Sequence, residues 1–77
     1  DATKGFYLID FEETTALVGY INEEIFILKR FDEPTKGKLQ ARMNEHLGNS
    51  VTYIVKIDGF KAIVEVTPEK MKLLLEL

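Results

Sequence analysis

The sequence predicts a single α+β domain with the element order βββαββα, in which a five-stranded, mainly antiparallel sheet carries two helices on one face. Three observations lead to this class. A β-branched hairpin pattern spans 51–66, three short apolar segments precede it, and helix-start signals follow the third and fifth predicted strands. Because 77 residues with 45% apolar content suit one compact core, we expect one domain over 1–77, with 1–4 as a flexible lead-in.

The clearest signal is Asp58-Gly59, which lies between two segments rich in β-branched residues. This dipeptide favours a type I′ turn, whose two central residues have positive φ. A two-residue turn also fixes the register of the strands. The predicted core-side pairs are Ile57 with Phe60, Val55 with Ala62, Tyr53 with Val64 and Val51 with Val66, and the opposite side pairs Lys56 with Lys61, Ile54 with Ile63 and Thr52 with Glu65.

Three earlier strands are predicted at Gly5 to Phe11, Ala16 to Ile21 and Glu24 to Phe31. Short links, including a tight turn at Asn22-Glu23, predict an antiparallel meander in which Gly19 lies between Leu8 and Phe26. A sheet with one face in water alternates apolar and polar residues, whereas these strands are apolar on both faces. One face carries Tyr7, Ile9, Phe11, Val18, Tyr20, Ile25 and Ile27, and the other carries Phe6, Leu8, Leu17, Ile21, Phe26 and Leu28, with Asp10.

The first helix is predicted from Thr35 to Leu47, because Pro34 suits a helix start and Gly48 suits a helix end. Its apolar residues Leu39, Met43 and Leu47 are four apart, which is typical of one helical face.

The second helix is predicted from Pro68 to Leu77, with Thr67 as its N-cap. We expect strand four to return beside strand one through a right-handed helical crossover. The alternative places the second hairpin beside strand three.

Asp10, Glu12 and His46 are the side chains best suited to acid–base or metal chemistry. Asp10 and Glu12 would share one strand face as a carboxylate pair, and an enzyme would need His46 in the same pocket. The competing interpretation is that Asp10 caps a turn, Glu12 stays in water and His46 complements a helix end. Since no second cluster completes a site, we expect no enzyme, no catalytic residue, no cofactor and no metal.

Basic residues support an alternative hypothesis, a nucleic-acid-binding module. The net charge of −3 disfavours it, and so does the predicted register, which puts Tyr53 and Phe60 on the hairpin face opposite the lysines. The basic residues concerned are Lys56 and Lys61 on the hairpin, and Lys29, Arg30, Lys36, Lys38 and Arg42 around strand three and the first predicted helix.

Two short helices cover one side of a sheet, so one apolar face of the first three strands lacks a cover. We expect this face to bind a second copy or another protein, although a partner could instead add a strand to an exposed edge. The competing interpretation is that the sheet curls over itself and buries both faces. The predicted partner-binding residues are Phe6, Leu8, Ile21, Phe26 and Leu28.

The sequence therefore predicts a small non-catalytic protein-interaction or assembly module that acts through an apolar sheet face or an edge strand, as a homo-oligomer or with another protein. No apolar segment has membrane-spanning length and no signal-peptide pattern opens the chain. We therefore expect a soluble protein without a membrane partner, cytoplasmic by default.

Overall fold

The structure, a computed structural model, describes residues 3–34 and 37–77. Within these residues the fold is all-β: seven strands form two antiparallel sheets, ordered β1-β2-β3 and β4-β5-β6-β7. The predicted α+β class is therefore wrong, and so is the single five-stranded sheet. The strands are β1 (Gly5–Phe11), β2 (Thr14–Ile21), β3 (Glu24–Phe31), β4 (Gln40–Leu47), β5 (Ser50–Ile57), β6 (Phe60–Val66) and β7 (Met71–Glu76).

The first predicted helix is wrong because its described part contains β4, and the residues that follow it form a hairpin turn. Leu47 pairs with Ser50, and Gly48 has a φ of +61°, as a glycine at the first position of a two-residue hairpin turn requires. A glycine that ends a helix looks the same in sequence. The spacing of four residues also fits a strand, in which every second residue shares a face. Residues 35 and 36, where the predicted helix begins, lie outside the described residues.

The second predicted helix is wrong because β7 occupies its place. The Thr67 N–H donates to the Lys70 carbonyl at 2.9 Å, so Thr67 and Pro68 belong to a hairpin link and not to a helix start. Leucine, lysine and glutamate favour helix, but a segment this short is not stable as a helix alone. Pairing with the edge of β6 instead buries Met71 against the core.

The predicted hairpin over 51–66 is confirmed pair by pair, from Val51 with Val66 to Ile57 with Phe60. Its turn differs from the prediction, because φ is positive at Gly59 (+74°) but not at Asp58. The hairpin also lies beside neither strand one nor strand three. It forms the centre of the second sheet, between β4 and β7, so both predicted strand orders are wrong.

The predicted three-stranded meander is confirmed. Gly19 lies opposite Phe26 as predicted, but its other partner is Phe6 and not Leu8, because β1 and β2 join through a two-residue turn that pairs Phe11 with Thr14. Asn22 and Glu23 have φ values of +55° and +60°, the pattern of a type I′ turn.

The core lies between the two sheets, which pack face to face. Its buried cluster combines Leu17 and Ile21 of the first sheet with Val55, Val64, Val66 and Met71 of the second. Two edge-to-face aromatic pairs connect the sheets, Phe6 with Tyr53 at 5.5 Å and Phe31 with Phe60 at 5.1 Å between ring centroids. The second sheet is therefore the cover that the sequence analysis assigned to helices.

The edges of the two sheets lie over each other on one side of the sandwich only. On that side β3 lies nearest to β7, and Lys29 Nζ lies 3.1 Å from Glu76 Oε2. On the other side β4 extends beyond the three-stranded sheet, and all eight of its residues are exposed. The first sheet therefore covers three of the four strands of the second.

Candidate interaction surface

The five predicted partner-binding residues face the second sheet. Ile21 is buried in the core cluster, and Phe6, Leu8, Phe26 and Leu28 are partly buried side chains packed against it. These side chains already contact apolar atoms of their own chain. Their contact with a partner stays a prediction, and a partner that used them would compete with the core.

The opposite face of the first sheet is apolar and open, and we call it the outer face. The side chains of Ile25 and Ile27 are 57% and 51% exposed. A shallow groove of about 280 Å³ runs along this face, lined mainly by Tyr7, Ile9, Val18, Tyr20 and Ile25. The outer face consists of Tyr7, Ile9, Val18, Tyr20, Ile25 and Ile27.

The strand register assembles the outer face from all three strands. Val18 pairs with Tyr7 on one side and with Ile27 on the other. The larger side chains of these two neighbours shield Val18 from water although it lies on the outer face. Tyr20 pairs with Ile25 in the next row. At the far end Arg30 lies over the Phe11 ring, 5.9 Å from its centroid, which places a cation at the rim and none in the centre.

The open edge of β1 borders the outer face. Its pairing with β2 runs without a register shift from Gly5 to Phe11, and its sequence has neither lysine nor proline. Open edge strands are normally protected by charges, prolines or bulges. The other open edge, β4, has both a bulge between Met43 and Glu45 and the charged side chain of Arg42. The β1 edge has no bulge and no proline, and its one charged side chain is Asp10 near the end of the strand.

The predicted basic residues are divided between two places. Lys56 lies opposite Lys61 as predicted, and Arg42 joins them around one groove on the second sheet. Lys29 and Arg30 belong to the first sheet, where they contact Glu76 and Phe11. Lys36 lies outside the described residues.

The three candidate catalytic side chains lie on different elements. Asp10 Oδ1 accepts a hydrogen bond from Thr15 Oγ1 at 3.0 Å, and Glu12 occupies the turn after β1 with a φ of +42°. His46 belongs to β4 in the other sheet. Among residues 3–34 and 37–77, no group of three or more histidine, cysteine, aspartate or glutamate side chains could hold a metal ion.

Comparison with known proteins does not assign the chain to a family. The chain matches no family model, no curated protein and no solved structure. The described residues include no helix long and apolar enough to cross a membrane. Function must therefore be inferred from the surfaces themselves.

Both apolar faces could be predicted from the sequence, but the second sheet was not predicted, and the residues assigned to a partner face that sheet. The missed signal is Gly48-Asn49 between Leu47 and Ser50, a glycine-first turn that favours a hairpin. This turn would have converted the first predicted helix into a strand and revealed a second sheet.

Proposed function

We propose that this protein is a non-catalytic assembly module, and that its outer face binds the same face of a second copy. One observation carries the proposal: the outer face exposes Ile25 and Ile27 to water by more than half, although the core beneath it is already complete. Contiguous apolar patches of this kind usually mark a contact surface.

A second copy suits this face because its centre carries no charge. Each chain has a net charge of −3, so two copies repel each other wherever their charged surfaces meet. Around a two-fold axis the outer face would meet itself, which brings apolar side chains together and leaves Arg30 at the rim.

The size of the face predicts a weak dimer. Aromatic side chains present roughly 150–250 Å² each and isoleucine less, and only Ile25 and Ile27 of the outer face are more than half exposed. The whole face therefore presents on the order of 400 Å². Two such faces give on the order of 800 Å², below the roughly 1,200 Å² of standard stable interfaces. We therefore expect a dissociation constant in the micromolar range, with pairing along the β1 edge available to add area.

The test replaces one outer-face residue and one matched residue elsewhere. Ile27→Glu changes a side chain that is 51% exposed in β3, and Leu75→Glu changes one that is 54% exposed in β7. We expect Ile27→Glu to weaken dimerisation by about 100-fold or more, because an unpaired carboxylate would be buried in the interface. Leu75→Glu should leave it unchanged.

Sedimentation velocity over a concentration series measures the dimer fraction, and circular dichroism confirms that both variants are folded. A wild-type protein that stays monomeric at every concentration would contradict the proposal. So would a dimer that Leu75→Glu dissociates and Ile27→Glu does not, because the second sheet would then hold the interface.

A further inference from the structure

We infer that a basic groove on the outward side of the second sheet binds a compact phosphate-type oxyanion. The groove has a volume of about 440 Å³ and is lined by side chains from three adjacent strands. Arg42 comes from β4, Lys56 from β5 and Lys61 from β6. Gln40 completes the rim and Ile54 lies between the cations.

The three cations have no ion-pair partner among residues 3–34 and 37–77. No carboxylate of the described residues lies within ion-pair distance of Arg42, Lys56 or Lys61. Lys56 and Lys61 are direct cross-strand neighbours, and like charges in that position destabilise a sheet. On a chain whose net charge is −3, this is a concentrated positive region. A bound anion would remove the repulsion.

The spacing fits an anion of a few ångströms and not an extended one. Adjacent strands are about 4.8 Å apart, so β4 and β6 are separated by roughly 10 Å, and arginine and lysine side chains from both can converge over Ile54. Arg42 can bind two oxygens through its planar guanidinium, whereas lysines act as point charges. Phosphate-type groups satisfy both kinds of donor.

Features around the groove disfavour a nucleic acid strand as the ligand. The lining includes no aromatic side chain on which a base could stack. Glu45 and Glu65 both pair with Thr52 on the same sheet face, so a polyanion that continued along the face would meet carboxylates. The favoured ligand is therefore short.

The experiment titrates the whole chain with inorganic pyrophosphate at low salt and follows backbone amide shifts by nuclear magnetic resonance. We expect saturable shifts around the groove. Lys61→Gln and Arg42→Gln should each weaken binding by about tenfold, because each removes a charge-assisted contact. Lys72→Gln is the matched control, since Lys72 is an exposed β7 lysine that does not line the groove.

A second measurement separates a ligand site from a merely structural role. Lys61→Gln should raise the unfolding temperature of the free protein, because it relieves the repulsion of Lys56, while it lowers the stabilisation gained from pyrophosphate. A lower unfolding temperature for the free variant would overturn the argument.

Two further arms identify the source of the oxyanion. The protein should bind phosphatidylcholine vesicles that contain phosphatidic acid only if the oxyanion can be a lipid headgroup. Vesicle binding that depends on Lys61 would support the site with a lipid as its ligand. Absence of any pyrophosphate or vesicle binding would overturn the inference. Single-stranded DNA that binds more tightly than pyrophosphate and requires Lys29 and Arg30 would also overturn it, in favour of a nucleic-acid surface.

Discussion

The outward faces of the two sheets differ although their inward faces are alike. Both inward faces are apolar and meet in one core. Outward, the second sheet surrounds Ile54 and Ile63 with residues such as Arg42, Lys56 and Glu65, which is the pattern of a sheet that faces water. The first sheet presents its apolar outer face instead. A complete core does not require that face, so its composition supports the proposed contact with a second copy.

The turns of the first sheet are also less favourable than those of the second. Left-handed turn positions in the second sheet are glycines, Gly48 and Gly59, whereas the first sheet places Glu12, Asn22 and Glu23 at positive φ. Left-handed backbone costs roughly 1–2 kcal/mol per residue outside glycine and asparagine, so the cost falls on Glu12 and Glu23. The first sheet therefore combines less favourable turns with an uncovered face, and association through that face would offset part of this cost.

The largest expected effect is a difference in stability between substitutions on the two faces of the first sheet. Leu17 is fully buried and Ile27 is half exposed. We expect Leu17→Ala to lower the free energy of unfolding by about 3–5 kcal/mol, because it leaves a cavity. Ile27→Ala should cost about 1 kcal/mol or less in the monomer. Urea denaturation at low protein concentration measures both, and equal losses would contradict the assignment of the faces.

A medium effect concerns the contact between the sheets at Gly19. A Cβ added at Gly19 would clash with Met71 Sδ, so Gly19→Ala must displace that side chain. We expect a loss of about 1–3 kcal/mol from overpacking. In the background of Met71→Ala the same substitution should cost much less, which a double-mutant cycle measures. A full cost in that background would show that Met71 is not the obstacle.

The smallest effect concerns the turns. Glu23→Gly should raise the free energy of unfolding by about 1 kcal/mol, because it removes a left-handed glutamate from a type I′ turn. Gly48→Ala should lower it by a similar amount, since Gly48 has a φ of +61°. Thermal unfolding of both variants compares the two sheets directly. Changes of the same sign would contradict the proposed difference between their turns.

Strand segments and local register could be predicted wherever a turn marked them. The two-residue link at 58–59 placed every pair of its hairpin correctly, and the meander of β1 to β3 was correct within a few residues. β4 and β7 were predicted as helices because Gly48 and Pro68 suit both helix boundaries and hairpin links. Short apolar segments do not settle helix or strand without their tertiary partners.

The outer face itself was predicted as a set of residues, but its position was not. Alternation along a strand assigns Tyr7, Ile25 and Ile27 to one side and Phe6 and Leu28 to the other. Which side meets the core depends on the second sheet, whose β4 and β7 were predicted as helices. Because the second sheet was not predicted, the residues that it covers were assigned to a partner.

The most direct measurement is the accessibility of isoleucine and leucine methyl groups to a soluble paramagnetic probe, recorded by nuclear magnetic resonance in dilute and in concentrated solution. We expect the methyl groups of Ile25 and Ile27 to lose accessibility as the concentration rises, while those of Leu75, which are similarly exposed, keep theirs. Unchanged accessibility of Ile25 and Ile27 at concentrations well above the micromolar range would contradict self-association through the outer face.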